Sequence, residues 1–180
     1  MRLADAVTLF RTFLVFVIAY MIFERFSALA TVALIAIMFI LDAIDGKIAK
    51  LDKKSKSTSY GPRLDVAGDR IIEYVFWIVF TVLNVVPLFV LFIILIRHSF
   101  VDAFMAAKGT SSKMKTRLAK ALYTSDLFRG GINVVKVVVF SYLTLVYLAG
   151  WDILIGYVLT SILVLYILAR GVAEMWESIA

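Results

Sequence analysis

Apolar residues in this chain run in stretches long enough to cross a lipid bilayer, and this excludes most of the ways 180 residues can fold. A helix crosses the hydrocarbon layer with about twenty mostly apolar residues. Six segments qualify, at roughly 7–23, 28–44, 66–86, 87–105, 123–149 and 153–172. The expected fold class is therefore an all-α integral membrane protein with six transmembrane helices. Composition agrees, with 63% of residues hydrophobic and 18% charged. An ordinary soluble domain carries roughly 25% charged residues. A soluble chain of this size buries about two-thirds of its unfolded surface, which would leave much of the apolar content facing water. The length fits one domain, residues 1–180. Cysteine is absent, so disulfides, thiolate metal ligands and a cysteine nucleophile are excluded.

Charge then orients the segments. The net charge of +6 admits nucleic acid or an anionic membrane surface as partner. In so apolar a chain the membrane is the expected one, and no basic soluble domain is present to hold nucleic acid. The connection after the second segment carries Lys47, Lys50, Lys53, Lys54, Lys56 and Arg63, and the one after the fourth carries Lys108, Lys113, Lys115, Arg117 and Lys120. The alternate connections, Glu24-Arg25, residues 84–87 and residues 150–152, are short and nearly neutral. Basic loops stay on the cytoplasmic side. Both termini are then cytoplasmic, and the expected location is the cell membrane, multi-pass. Residues 1–6 are too polar for hydrocarbon and read either as the start of an interfacial helix or as a frayed end. The start resembles a signal peptide only superficially, since apolar segments continue along the whole chain and no small-residue cleavage site is evident.

Chemistry concentrates between the second and third segments. Asp42-Ala-Ile-Asp45-Gly46-Lys-Ile-Ala49-Lys50 is followed by Gly61-Pro-Arg-Leu-Asp65-Val-Ala-Gly-Asp69. On a helix Asp42 and Asp45 share a face, as do Asp65 and Asp69. The first pair closes one segment and the second opens the next, so two antiparallel helices would gather four carboxylates at the cytoplasmic surface. Such a group cannot stay ionised without a compensating cation. Hard oxygen ligands suit Mg²⁺, Mn²⁺ or Ca²⁺, and two such ions serve displacement at phosphorus by stabilising the entering and leaving oxygens together. Gly46 and Gly61 would let a bulky nucleotide approach the backbone closely.

This arrangement resembles the signature of the CDP-alcohol phosphatidyltransferases, D-x-x-D-G-x-x-A-R, a short gap, then G-x-x-x-D-x-x-x-D. Six spans and cytoplasmic termini match as well, and Thr8-Leu-Phe-Arg11 is similar to the T-x-x-R that often opens the first span. Two features depart. Lys50 stands where the family has arginine, which keeps the charge but loses the planar fork, and the usual Pro-Asn before the first span is replaced by Asp5-Ala6.

The resemblance implies an enzyme of phospholipid biosynthesis, with a cytoplasmic active site, that transfers a phosphatidyl-type group from a CDP-linked lipid to a second alcohol and releases CMP. It implies that Asp42, Asp45, Asp65 and Asp69 hold two divalent ions, Mg²⁺ or Mn²⁺, and that Asp69 is also the general base for the acceptor hydroxyl. It places Gly46, Ala49, Lys50 and Gly61 around the CDP moiety. Family members commonly form homodimers, so a homodimer is implied too.

The acceptor is read from basic residues. Arg97, Lys113, Lys115, Arg117 and Arg129 would suit an acceptor that already bears phosphate, such as inositol phosphate or glycerol phosphate. The run Lys113-Met-Lys115-Thr116, with Arg97 upstream, looks somewhat like the glycerophosphate-using branch. The loop lysines read equally as topology signals or headgroup contacts. Arg97 and Arg129 lie inside apolar segments, where an isolated charge is costly, and Asp102 and Asp126 are the expected neutralising acids. His98 is expected at the interface rather than in catalysis. Glu73 reads either as orienting Arg70 or the metal shell, or as captured by a basic neighbour. Lys136 reads either as reaching the same cavity or as paired with an acid. Two alternatives stay open: an unphosphorylated acceptor such as serine or inositol, and a cation transporter using the aspartates as its path.

Overall fold

The computed structural model describes the backbone of residues 3–51, 60–108 and 126–179, and the side chains of 5–44, 61, 63–104 and 131–176. Among these residues all regular structure is α-helical. The helices are α1 (Leu3–Phe23), α2 (Ala28–Leu51), α3 (Tyr60–Val82), α4 (Leu88–Lys108), α5 (Asp126–Ala149) and α6 (Ile153–Ile179). Residues 3–6 continue directly into the apolar part of α1, so no separate interfacial helix precedes it among the described residues. α2 outruns its apolar stretch, and the whole Asp42–Lys50 run is helical.

Helix ends follow local chemistry. Where α1 stops, Arg25 takes a left-handed conformation (φ 51°), and the Phe26 amide donates to the Met21 carbonyl while the Arg25 amide donates to Ile22. Asn84 (φ 56°) ends α3 in the same way, with Val85 donating to Phe80 and Asn84 to Thr81. These are paired C-terminal closures that satisfy orphan carbonyls. The one at Asn84 ends α3 at Val82, four residues before the apolar pattern stops at Val86. Asp152 begins α6 by accepting a hydrogen bond from the Leu154 amide, a standard N-cap contact.

The six helices pack as a closed circuit in the order α1, α3, α4, α6, α5, α2 and back to α1. Aromatic rings fill its middle. Phe140 of α5 stacks on Phe76 of α3 at 4.5 Å between centroids and meets Trp77 edge-on at 5.3 Å. Phe80 and Phe39 add further faces to Phe140.

Polarity is distributed in the reverse of a soluble protein. Arg11, Glu73, Arg97, His98 and Glu174 are buried, while large apolar side chains such as Phe13 (65% exposed) and Trp176 (69%) cover the outside. Contiguous apolar surface on that scale needs a non-aqueous surround. Asp5–Phe23, Gly131–Ala149 and Ile153–Trp176 are long and apolar enough to cross a membrane, and Ala28–Ile44 is a shorter apolar helix. α3 carries Asp65, Asp69, Arg70 and Glu73 in its first half, which lowers its hydropathy. The chain has a membrane-protein fold.

Candidate active site

α1 and α3 come unusually close at Gly68. A Cβ placed there would lie 2.8 Å from Thr8 Cγ2 and 3.0 Å from Thr12 Oγ1. This contact brings Arg11, one turn past Thr8, against Asp69, the neighbour of Gly68. Arg11 is 2% exposed. Its Nη1 lies 2.6 Å from Asp42 Oδ1 and its Nη2 lies 3.1 Å from Asp69 Oδ1. One guanidinium from α1 therefore ties together carboxylates from α2 and α3. The second oxygen of Asp42 accepts a 2.7 Å hydrogen bond from Asn133 Nδ2 on α5.

Asp65 joins the same group. Single carboxylate oxygens of Asp42, Asp65 and Asp69 lie within 4.8 Å of one another. Oxygens sharing one Mg²⁺ or Ca²⁺ at about 2.0–2.6 Å stand no more than about 4–5 Å apart, so the donor set fits a hard divalent cation. Asp42 is largely enclosed, whereas Asp69 has 48% of its side chain exposed.

Beneath the carboxylates is a cavity of about 20 Å³, lined on its polar side by Arg11, Asp42, Asp69, Glu73, Asn133 and Lys136. That is room for about one water. Phe39, Ile72 and Phe140 form its apolar floor, so the aromatic core that closes the bundle also seals the polar end from the rest. Lys136 donates to Glu73 at 2.6 Å. Both readings of Lys136 therefore hold, since it reaches the cavity and pairs with an acid. Glu73 is captured by that lysine, and His98 Nε2 lies 3.8 Å from the same carboxylate oxygen. His98 is buried inside the bundle, with its ring edge-to-face with Tyr74.

Other expected pairings change. Asp102 was expected to neutralise Arg97, but it receives both a 3.1 Å and a 2.8 Å hydrogen bond from Arg70. Arg97 instead donates to Glu174 of α6 at 3.2 Å, and Glu174 also accepts from Arg170 at 3.0 Å. Separation in sequence hid this partner, because nothing in the pattern relates α4 to the end of α6. Gly171 makes the approach possible: a Cβ there would fall 2.6 Å from Arg97 Nε. Arg97 borders an apolar groove of about 580 Å³ between α4 and α6, and it is not among the residues lining the small cavity.

The remaining expected site residues are distributed as follows. Gly61 lies in the first turn of α3. Asp45, Gly46, Ala49 and Lys50 lie on the last turns of α2, and Arg129 lies in the first turn of α5, but their side chains are outside the described residues. Lys113, Lys115 and Arg117, and Asp126 as partner of Arg129, fall outside them too, the first three entirely and Asp126 for its side chain.

Sequence reasoning missed the structural roles of Arg11 and Asn133. Arg11 was visible only as the end of Thr8-Leu-Phe-Arg11, a buried charge facing no partner on its own helix. Asn133 has no signal beyond being a polar residue in an apolar run.

The family model described as CDP-alcohol phosphatidyltransferase matches residues 1–173 of the chain. A search of curated proteins returned no match.

Proposed function

The chain belongs to the CDP-alcohol phosphatidyltransferase family, and on that premise we propose that it moves its phosphatidyl group onto a phosphorylated alcohol in a metal-dependent reaction. The family establishes the enzyme class and the transfer from a CDP-alcohol, which favours an enzyme over the cation-transport alternative. The observation that carries the metal reading is the convergence of Asp42, Asp65 and Asp69 oxygens within 4.8 Å.

Asp42, Asp65 and Asp69 would hold a divalent ion, with Asp45 completing a two-ion set of Mg²⁺ or Mn²⁺. The ions supply charge stabilisation on the diphosphate and a more acidic acceptor hydroxyl. Asp69, the most open carboxylate of the ion-paired set, takes the proton from that hydroxyl. The hydroxyl oxygen then bonds to the phosphorus nearest the lipid. The bond from that phosphorus to the bridging oxygen breaks, and the electron pair leaves with CMP. Gly46, Ala49, Lys50 and Gly61 would sit around the CDP moiety. Lys113, Lys115, Arg117 and Arg129 would meet the acceptor phosphate. Arg97, already engaged by Glu174, is assigned to holding α4 against α6 rather than to the acceptor.

Six spans, cytoplasmic termini, one domain over 1–180 and a homodimer in the cell membrane complete the proposal. The apolar exterior and the position of Asp42, Asp65 and Asp69 at one end of the bundle support it.

The test is CMP release by purified protein given a CDP-linked lipid, Mg²⁺ or Mn²⁺, and a panel of glycerol phosphate, inositol phosphate, inositol and serine. Release that depends on a phosphorylated acceptor and stops on chelation is expected. Asp69→Asn should lower the rate by about 10²–10⁴-fold. Release with serine or inositol alone would replace the phosphorylated acceptor with a neutral one.

A further inference from the structure

We infer that Arg11 is the resident cation of this site: it holds Asp42 and Asp69 together when no metal is bound and competes with the metal for them. The inference rests on the metal reading of the aspartates given above.

Several observations carry it. Arg11 is 2% exposed, so its charge lies away from water and needs carboxylates as counter-ions. Its Nη atoms contact Asp42 and Asp69, two of the three residues whose oxygens converge. Its Nη2 donates one hydrogen bond to Asp69 Oδ1, while its hold on Asp42 is an ion pair. Nε and Nη1 are buried without a hydrogen-bond partner of acceptable alignment, even though Nη1 lies 2.6 Å from Asp42. A side chain fixed by an aligned fork of hydrogen bonds would resist displacement, and this one is not so fixed. Asp42 also keeps a second partner if Arg11 lets go, since Asn133 still donates to its Oδ2. Lys136 stands on the other side of the cavity, but its ammonium is taken by Glu73.

The consequence follows from charge. A cation held by Asp42, Asp65 and Asp69 shares two carboxylates with Arg11, and like charges a few ångströms apart in a partly buried site differ in energy by at least a tenfold change in equilibrium constant. Removing the guanidinium charge should therefore tighten metal binding. If Arg11 acted only by pre-shaping the carboxylates, its removal would weaken metal binding instead. The sign separates the two.

The experiment measures Mn²⁺ binding to the purified full chain in detergent micelles, without CDP-lipid, from the spectroscopic signal of free Mn²⁺. Wild type, Arg11→Gln, Arg11→Lys and Asp69→Asn are compared, with helical content and thermal midpoint recorded in chelator and in Mn²⁺. Arg11→Gln should bind Mn²⁺ about tenfold more tightly than wild type. Arg11→Lys keeps the charge but cannot reach both carboxylates, so binding tighter than wild type but weaker than in Arg11→Gln is expected. In chelator the glutamine variant should melt below wild type, with Mn²⁺ restoring more of its midpoint than it adds to wild type. Folded variants whose Mn²⁺ affinity is unchanged or weaker would overturn the inference. If the glutamine variant does not fold in either condition, the lysine variant decides by the same criterion. Failure of the underlying metal reading looks different: wild type itself binds no Mn²⁺, and Asp69→Asn changes nothing.

Discussion

Glu73 and Lys136 show what a charge inside this bundle requires. Glu73 is almost wholly enclosed, and its carboxylate meets Lys136 at 2.6 Å beside the cavity that Asp42 and Asp69 also line. An enclosed pair adds little by itself, but removing one member strands the other and costs about 3–5 kcal/mol. Lys136→Met should therefore destabilise the protein by about that amount in a denaturant titration in micelles. The double variant Glu73→Gln/Lys136→Met should recover most of the loss, because neither charge is then left alone. A double variant no more stable than the single one would show that Glu73 has another counter-ion, with Arg70 and His98 nearest to serve. The sequence offered Glu73 and Lys136 as two residues with open roles. Their distance of 63 positions, bridging α3 and α5, explains why only packing could join them.

Helix contacts depend on residues too small to attract notice in a hydropathy pattern. Gly68 sets the α1–α3 distance, and Arg11 and Asp69 meet only because that distance is short. In Gly68→Ala the new methyl meets a short, stiff threonine side chain rather than a flexible tip, so the helices must part. A loss of about 1–3 kcal/mol is expected, the usual cost of overpacking, with a fall in CMP release as Arg11 and Asp69 separate. Adding Thr8→Ala removes the clashing Cγ2 and should restore both stability and turnover. Persistence of the defect in the double variant would point to Thr12 Oγ1 as the limiting contact. Helix ends were legible only where composition marks them. Asp152 caps α6 in the structure, whereas Arg25 and Asn84 close α1 and α3 in left-handed conformations that a search for glycine passes over.

The whole molecule is organised by where its charges lie relative to its apolar exterior. Among the described residues, Arg11, Asp42, Asp65 and Asp69 sit at the end where α1, α3 and α5 begin and α2, α4 and α6 finish. Turns 24–27, 83–87 and 150–152 lie at the other end. The topology proposed from basic loops makes that far end extracytoplasmic. Because the chain has no cysteine, single cysteines report position without background. Ser27→Cys should react with a membrane-impermeant maleimide on intact cells, and Lys113→Cys should react only after the membrane is opened. The reverse pattern would put the active site outside the cytoplasm and overturn the charge-based orientation. The closed circuit of helices was not legible in sequence, since alternating apolar segments fix the number of helices but not their neighbours.

Sequence alone determined the solvent, the helices and the chemical signature. Long apolar runs can be stable only in lipid, and four aspartates with two glycines at fixed spacing point to metal and nucleotide whatever the packing. Tertiary structure decided which charges neutralise which. A guanidinium on α1 and an amide and an ammonium on α5 find their partners across helices, as does the α4 guanidinium that meets the carboxylate at the end of α6. There, distance in sequence carries no information and a buried charge is stable only beside its counter-ion.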